Sequence, residues 1–258
     1  MLPLPIHIFP IPALKDNYIW AVVSTSQKKA LIVDPGEALP VLQFLQNHHL
    51  DLSGILITHH HWDHTDGVAE LKNKFQLPIF GPAEKIIGLT DVVKEVNQIK
   101  LDSLPVFQVL NIPGHTLKHI AYYAPGILFC GDTLFAAGCG RVFEGTMEEM
   151  YLTLQKIASL PLDTKIYCGH EYTLRNLYFA ELVEPTNMDI KLRLEKVKKL
   201  RDKNIPSLPS ALKEELATNP FLRCHETAVK TAAENYAKRK VNSSIEVFSY
   251  LRAWKDTF

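Results

Sequence analysis

The sequence has no surplus of charge of either sign. Lys plus Arg and Asp plus Glu both number 28 in 258 residues, so no net field draws the chain to nucleic acid or to an anionic membrane surface. A nucleic-acid-binding chain is expected to show a basic excess. It also lacks any C-x-x-C pair: Cys130, Cys139, Cys168 and Cys224 lie far apart. That spacing excludes the paired-thiol motif of redox and zinc sites, and a chain of this size is not expected to need a disulfide framework, so we read the four as buried reduced thiols. No apolar run approaches the ~20 residues of a membrane span. The N-terminal residues carry no basic stretch, and prolines at 3, 5, 10 and 12 interrupt any apolar core of a leader; a cytoplasmic location is expected. There is no internal repeat and no low-complexity tract. What is present, 47% hydrophobic and 22% charged residues, is ordinary for a globular protein and enough to bury a sizeable core.

The first two thirds of the chain alternate between short β-rich runs and helical stretches. Strands are predicted at 18–23 and 29–33, joined by the polar turn 24–27, and Asp34-Pro-Gly36 ends the second. Leu39, Leu42 and Leu45 give helical spacing over 38–49. Residues 54–58 read as a buried strand that runs into a histidine cluster, and 68–75 as a helix. Further strands are expected at 78–81, 106–111, 119–124, 126–130 and 165–168, with a helix near 146–159. From about residue 172 strand signals fade and helices are predicted at 172–183, 188–203, 210–217, 224–239 and 243–254. The pattern implies an α/β body over 1–171 with a smaller all-helical domain over 172–258.

The chemistry is concentrated in Thr58-His-His-His-Trp-Asp-His64. His59 and His61 stand two apart just past a strand, so extended backbone there would send both imidazoles to one side. Asp63 and His64 follow at once. Imidazole and carboxylate are ligands that zinc and iron accept, and four such side chains in six residues exceed what one tetrahedral site takes from so short a segment. Two neighbouring ions, one on His59 and His61 and one on Asp63 and His64, fit better, with His60 and Trp62 as spacers.

Each ion is then short of ligands, and the sequence offers three more in a repeated pattern of apolar strand, glycine and ligand-type residue: Gly114-His115, Gly131-Asp132 and Gly169-His170. Asp132 is the carboxylate of the three, and its two oxygens could bridge two metals. Alone, His115 or His170 reads more readily as a buried structural histidine, and Asp132 as a turn or capping residue. The cluster at 59–64 turns that preference around, the remaining alternative being a surface histidine tract. His7, His48, His49 and His225 lack such context. His119 lies in a predicted strand, where it could bond a metal ligand from behind.

These segments resemble the metallo-β-lactamase superfamily and, within it, the glyoxalase II (hydroxyacylglutathione hydrolase) family. The motifs T-H-H-H-W-D-H, P-G-H115-T, C-G-D132-T and C-G-H170 carry the first likeness. Asp16–Trp20, Ile32–Gly36, Phe129–Phe135, Gly138–Thr146, Cys168–Thr173, Asn219-Pro-Phe221 and Leu251–Asp256 carry the second over nearly the whole chain. The resemblance implies a four-layered αβ/βα sandwich followed by a helical domain. It implies two divalent metals, zinc foremost with iron or manganese as alternatives, His59, His61 and His115 binding one and Asp63, His64 and His170 the other, bridged by Asp132. Asp63 and Asp132 are taken as the catalytic carboxylates. Glutathione contacts in the family fall on positions matching Arg141, Phe143, Tyr172, Arg252 and Lys255; some relatives have tyrosine in place of Phe143, and glycine is usual in place of Lys118.

The implied activity is hydrolysis of S-2-hydroxyacylglutathione, typically S-D-lactoylglutathione, to a 2-hydroxy acid and glutathione, the second step of methylglyoxal detoxification. The substrate is a small molecule, and a monomer is expected. The chemistry suits the residues. A thiol of pKa near ~8.5 leaves without a strong general acid, and the motifs hold no obvious one, whereas an amide nitrogen would need protonation. Arg252 and Lys255, three apart on one helix, could face one anionic group; without the resemblance they read as a solvated face. The alternative is a persulfide dioxygenase of the same superfamily with one iron, against which the helical domain argues.

Overall fold

The first strand, β1 (Ile6–Ala13), carries Pro10 and Pro12, opposite Trp20 and Tyr18 of β2 (Asn17–Ser24). Proline cannot donate to a ladder and is tolerated where a strand lies at a sheet edge. β1 is such an edge, in a six-stranded sheet ordered β1-β2-β3-β4-β5-β6 with β3 (Lys29–Val33), β4 (Asp51–Leu56), β5 (Ile79–Gly81) and β6 (Asp91–Val92). The computed structural model describes residues 6–258. They fall into two compact units, the chain up to Asn111 with Lys118–Gly131, and Ile112–Leu117 with Asp132–Phe258.

In the first unit, β1, β2 and β3 run antiparallel while β3 to β6 run parallel. Parallel neighbours need crossovers, and α1 (Ala38–His48) supplies the one from β3 to β4 and α3 (Val68–Phe75) the one from β4 to β5. Their apolar stripes, Val41 and Leu45 on one and Val68 and Leu71 on the other, join Ile19, Ile32, Ile55 and Ile57 in one core. Each fully buried aliphatic side chain there contributes roughly 1.5–3 kcal/mol. Every residue of β2 is buried, and between Asn17 and Ser24 its sequence, Tyr18–Val23, is a continuous apolar run and not an alternation. A short helix, α2 (Trp62–Thr65), precedes α3. The unit's other strands, β7 (Gln98–Ile99), β8 (Phe107–Asn111), β9 (Ile120–Ala124) and β10 (Ile127–Gly131), are antiparallel. Tyr122 of β9 is buried and donates its hydroxyl to the carbonyls of Ile57 and Phe80 at 2.7 and 3.1 Å.

The second unit opens its longer segment with a hairpin, β11 (Leu134–Phe135) and β12 (Gly138–Cys139). Helix α4 (Met147–Ala158) starts on a capping box between Thr146 and Glu149, which satisfies two otherwise orphaned donors. Strands β13 (Lys165–Cys168) and β14 (Ser210–Ala211) pair antiparallel. The remainder is helical: α5 (Thr173–Val183), α6 (Met188–Arg201), α7 (Leu212–Thr218), α8 (Thr227–Ala237) and α9 (Ser244–Thr257). Leu177 and Ala180 of α5 pack with Ile190, Leu194 and Val197 of α6 and with Ala137 of the hairpin turn. All four cysteines are buried and outside any disulfide, as expected. Among the described residues no helix is long and apolar enough to cross a membrane.

Candidate metal centre

Past β4 the chain does not stay extended through the histidine cluster. It bends at 58–59, and His61, with φ −60° and ψ 144°, caps the single turn of α2. The bend and the helical turn achieve what extended backbone was expected to do. His59 Nε2 and His61 Nδ1 lie 3.1 Å apart, while His60 is turned to Glu84 at 3.0 Å and Trp62 is exposed. The turn of α2 brings Asp63 Oδ2 to 3.5 Å from His64 Nε2. The Asn17 amide holds Asp63 through its side chain and its carbonyl at 3.0 and 3.2 Å.

Asp34 was read from sequence as part of a turn; it does more. The residue is buried, with φ 52°. Its carboxylate accepts the Thr58 N–H at 2.8 Å and the Thr58 hydroxyl at 2.7 Å, and lies 3.1 Å from Nδ1 of His64. A carboxylate on one ring nitrogen fixes the tautomer and orientation of an imidazole whose other nitrogen serves a metal. The signal available was the position of Asp34 at a strand's end. Asp34, His59 and His64 place ligand-type atoms within 4.8 Å of one another, all buried. His119 stacks on His59 with ring centroids 4.4 Å apart and faces the Ile120 carbonyl through Nδ1. The Lys118 ammonium binds the Ala83 carbonyl at 2.8 Å.

The second unit gathers the other three expected ligands. Asp132 Oδ2 lies 3.2 Å from His170 Nε2 and 3.8 Å from His115 Nε2, so one carboxylate stands between two imidazoles that present the same nitrogen. His115 has its Nδ1 on the Arg141 carbonyl at 2.8 Å, and His170 stacks flat on Tyr172 at 4.7 Å. Positive φ occurs at two of the glycines that precede ligands, Gly114 (143°) and Gly131 (47°).

The expected substrate contacts divide. Phe143 is exposed and packs near His115, with ring centroids 5.3 Å apart. Arg252 is not a solvated side chain: it is 3% exposed, lies over the Phe221 ring and donates to the Cys139 carbonyl at 2.8 Å. Lys255 is buried beside the rings of Phe179 and Phe258. Burial, with the nearby cations Arg175 and Arg252, pulls its ammonium down to about 7. Asp256, which closes a family-like segment but was not read as a contact, receives both arginines: its Oδ1 is 2.9 Å from Arg252 Nη2 and 3.4 Å from Arg141 Nε.

Residues 15–170 match the metallo-beta-lactamase superfamily, and residues 171–258 match the hydroxyacylglutathione hydrolase C-terminus. A protein of Nitrosomonas eutropha named hydroxyacylglutathione hydrolase is 50% identical over 98% of this chain and 99% of its own length. The chain belongs to the hydroxyacylglutathione hydrolase family. It is therefore a metal-binding hydrolase with the metallo-β-lactamase α/β fold and a helical C-terminal region. Among solved structures, ETHE1 from Myxococcus xanthus is similar at a TM-score of 0.67 with 22% identity, over 96% of this chain and 90% of that one; a likeness at that identity speaks for the fold alone. TTHA1623, solved in a di-iron-bound form, is 26% identical at a TM-score of 0.55 over 63% of this chain and 91% of its own. The donor set fits a divalent metal: imidazoles and carboxylates, most of them buried, and two of the imidazoles, His64 and His115, with the far ring nitrogen held by a carboxylate or a carbonyl.

Proposed function

We propose that the chain hydrolyses S-2-hydroxyacylglutathione thioesters, S-D-lactoylglutathione foremost, to the 2-hydroxy acid and glutathione. The observation that carries this reading is 50% identity over 98% of the chain with a protein of that name, the helical region being included in the match. Two divalent metals are proposed, zinc foremost. His59, His61 and His115 would hold one, and Asp63, His64 and His170 the other, with Asp132 bridging. The residue types and the family support this assignment.

Bound metals would supply a hydroxide at neutral pH and a Lewis acid for the oxyanion, because coordination lowers a water's pKa from about 15.7 toward ~7. The protein's part is to hold the ligands still. Asp34 orients His64, the Arg141 carbonyl orients His115, and Tyr172 fixes the His170 ring by stacking. A thiolate leaving group needs no strong acid beside it. Residues 172–258 would carry much of the glutathione binding, with Arg141, Phe143, Tyr172, Arg252 and Lys255 as its contacts.

The test is turnover of S-D-lactoylglutathione by the metal-loaded protein, followed through the loss of thioester absorbance. Absence of turnover overturns the reading. One iron per chain with oxygen uptake would instead favour the persulfide dioxygenase alternative.

A further inference from the structure

The turn of the β11–β12 hairpin is held by side chains in addition to its own short ladder. Ala137 sits at φ 55°, a left-handed conformation that a residue bearing a Cβ disfavours. Its N–H donates to Glu215 Oε2 at 2.8 Å. The Ala136 carbonyl accepts from the Asn176 amide at 3.0 Å. The carbonyls of Phe135 and Gly138 both accept from the Asn219 amide, at 3.2 and 2.9 Å. Four successive backbone positions are thus gripped by one residue of α5, one of α7 and the residue that follows α7. Asn176, Glu215 and Asn219 are all buried. Glu215 is neutralised by Arg193 of α6, which also binds Thr218 at 2.6 Å.

A buried ion pair is weak evidence for stability, since desolvating both charges offsets much of their attraction. Here its second carboxylate oxygen is used on a strained turn, and what flanks that turn is the centre. Asp132 lies three residues before Phe135. After Gly138 come Cys139, whose carbonyl takes Arg252, and Arg141, whose carbonyl takes His115. Shifting the turn would shift Asp132 and the Arg141 carbonyl together, and a misplacement of about 1 Å at a reacting site is enough for a roughly hundredfold loss.

We infer that Asn176, Glu215 and Asn219 are positioning residues that clamp residues 135–138 and so set Asp132 against His115 and His170. The role of Asp132 in this statement rests on the proposed hydrolase reading; the clamp itself does not. The test is Asn219→Ala, measured three ways on the metal-loaded full chain. Hydrogen exchange is expected to speed up in peptides covering 132–141, and at Phe221, whose N–H the Asn219 side chain also accepts at 3.1 Å, and to stay unchanged elsewhere. The metal-to-chain ratio under a competing chelator should fall, and kcat should drop by about tenfold or more, the scale seen for outer-sphere partners of metal ligands, with KM moved much less. Adding Ala137→Gly to Asn219→Ala should restore most of the loss, because glycine needs no clamp to hold a left-handed turn. If Asn219→Ala does not fold, Asn176→Ala, which removes one bond, carries the same test with smaller effects. Wild-type exchange at 132–141 with wild-type kcat per folded chain overturns the clamp, as does exchange that rises uniformly along the chain. A wild-type protein inactive on S-D-lactoylglutathione would count against the function, while exchange and metal retention would still decide the clamp.

Discussion

The Asp34 carboxylate stands 3.1 Å from Nδ1 of His64 and at the same time takes both the N–H and the hydroxyl of Thr58. One side chain therefore fixes the orientation of His64 and the start of the segment that carries His59 and His61. Asp34→Ala is expected to weaken metal binding by roughly 10- to 100-fold, with Asp34→Asn intermediate because it keeps the shape and one acceptor. Chelator competition followed by metal analysis checks this. Unaltered retention in Asp34→Ala would show that the Thr58–His64 segment needs no such support.

How much of this was legible follows from element length and from where each charge ends up. Long, strongly patterned elements were readable: the strand before Asp34, the helix over 38–49 and the C-terminal helices appear within a few residues of where the pattern puts them, although Ser210–Ala211, expected to open a helix in an all-helical domain, is a strand paired with β13. Strands of two residues, such as Asp91–Val92 and Leu134–Phe135, have no period to read. Prolines masked Ile6–Ala13, since an edge strand obeys looser rules than a central one. All seven expected ligands lie in the two clusters described, because ligand chemistry shows in residue type. Asp34 was missed because a carboxylate after a strand usually means a turn. The burial of Arg252 was missed because three-residue spacing on a helix gives no hint of which face is covered.

Lys255 supplies a pH prediction. Its ammonium, ordinarily near 10.5, is lowered to about 7 by burial and by the neighbouring cations Arg175 and Arg252. Below pH 7 the group is charged in both folded and unfolded chains, and folding bears the full desolvation penalty. Between 7 and 10.5 the unfolded chain binds the extra proton, so this residue makes stability rise with pH across that window. Binding runs the other way, because a neutral amine loses its attraction for a substrate carboxylate. KM for S-D-lactoylglutathione should rise by roughly three- to tenfold from pH 7 to 9, the scale of one charge-assisted contact. Lys255→Arg, charged throughout, should flatten that rise. Identical KM profiles for the two proteins would remove Lys255 from the binding site.

The Asp256 carboxylate lies on both Arg252 and Arg141. A carboxylate already on both guanidiniums competes with an incoming one. Asp256→Asn is expected to lower KM for the anionic thioester by roughly two- to fivefold, while costing about 1 kcal/mol of stability, the range of a partly exposed ion pair. Arg252→Ala should raise KM and also destabilise, since its guanidinium binds the Cys139 carbonyl within the fold. Urea melts beside steady-state kinetics separate the two effects. A raised KM in Asp256→Asn would mean that Asp256 orients the arginines for substrate and does not oppose it.

Gly131 and Gly126 both have positive φ, at 47° and 79°, yet alanine should be felt very differently at each. At Gly126 a Cβ would meet nothing within 4 Å, so only the left-handed backbone is penalised, by about 1–2 kcal/mol. At Gly131 it would fall 2.3 Å from Thr58 Oγ1 and 2.8 Å from His119 Cε1. Neither neighbour can yield easily: the Thr58 hydroxyl is bound to Asp34, and the His119 ring is stacked on His59. Overpacking of this kind adds roughly 1–3 kcal/mol to the backbone term, and the displaced groups are those that hold the proposed metal ligands His59 and His64. Gly131→Ala should therefore lose about 3 kcal/mol or more and release metal, whereas Gly126→Ala should retain metal at a modest loss. Denaturant midpoints with paired metal analysis check this. Equal losses at the two glycines would mean that Thr58 and His119 move aside, and that the packing behind His59 is softer than its contacts imply.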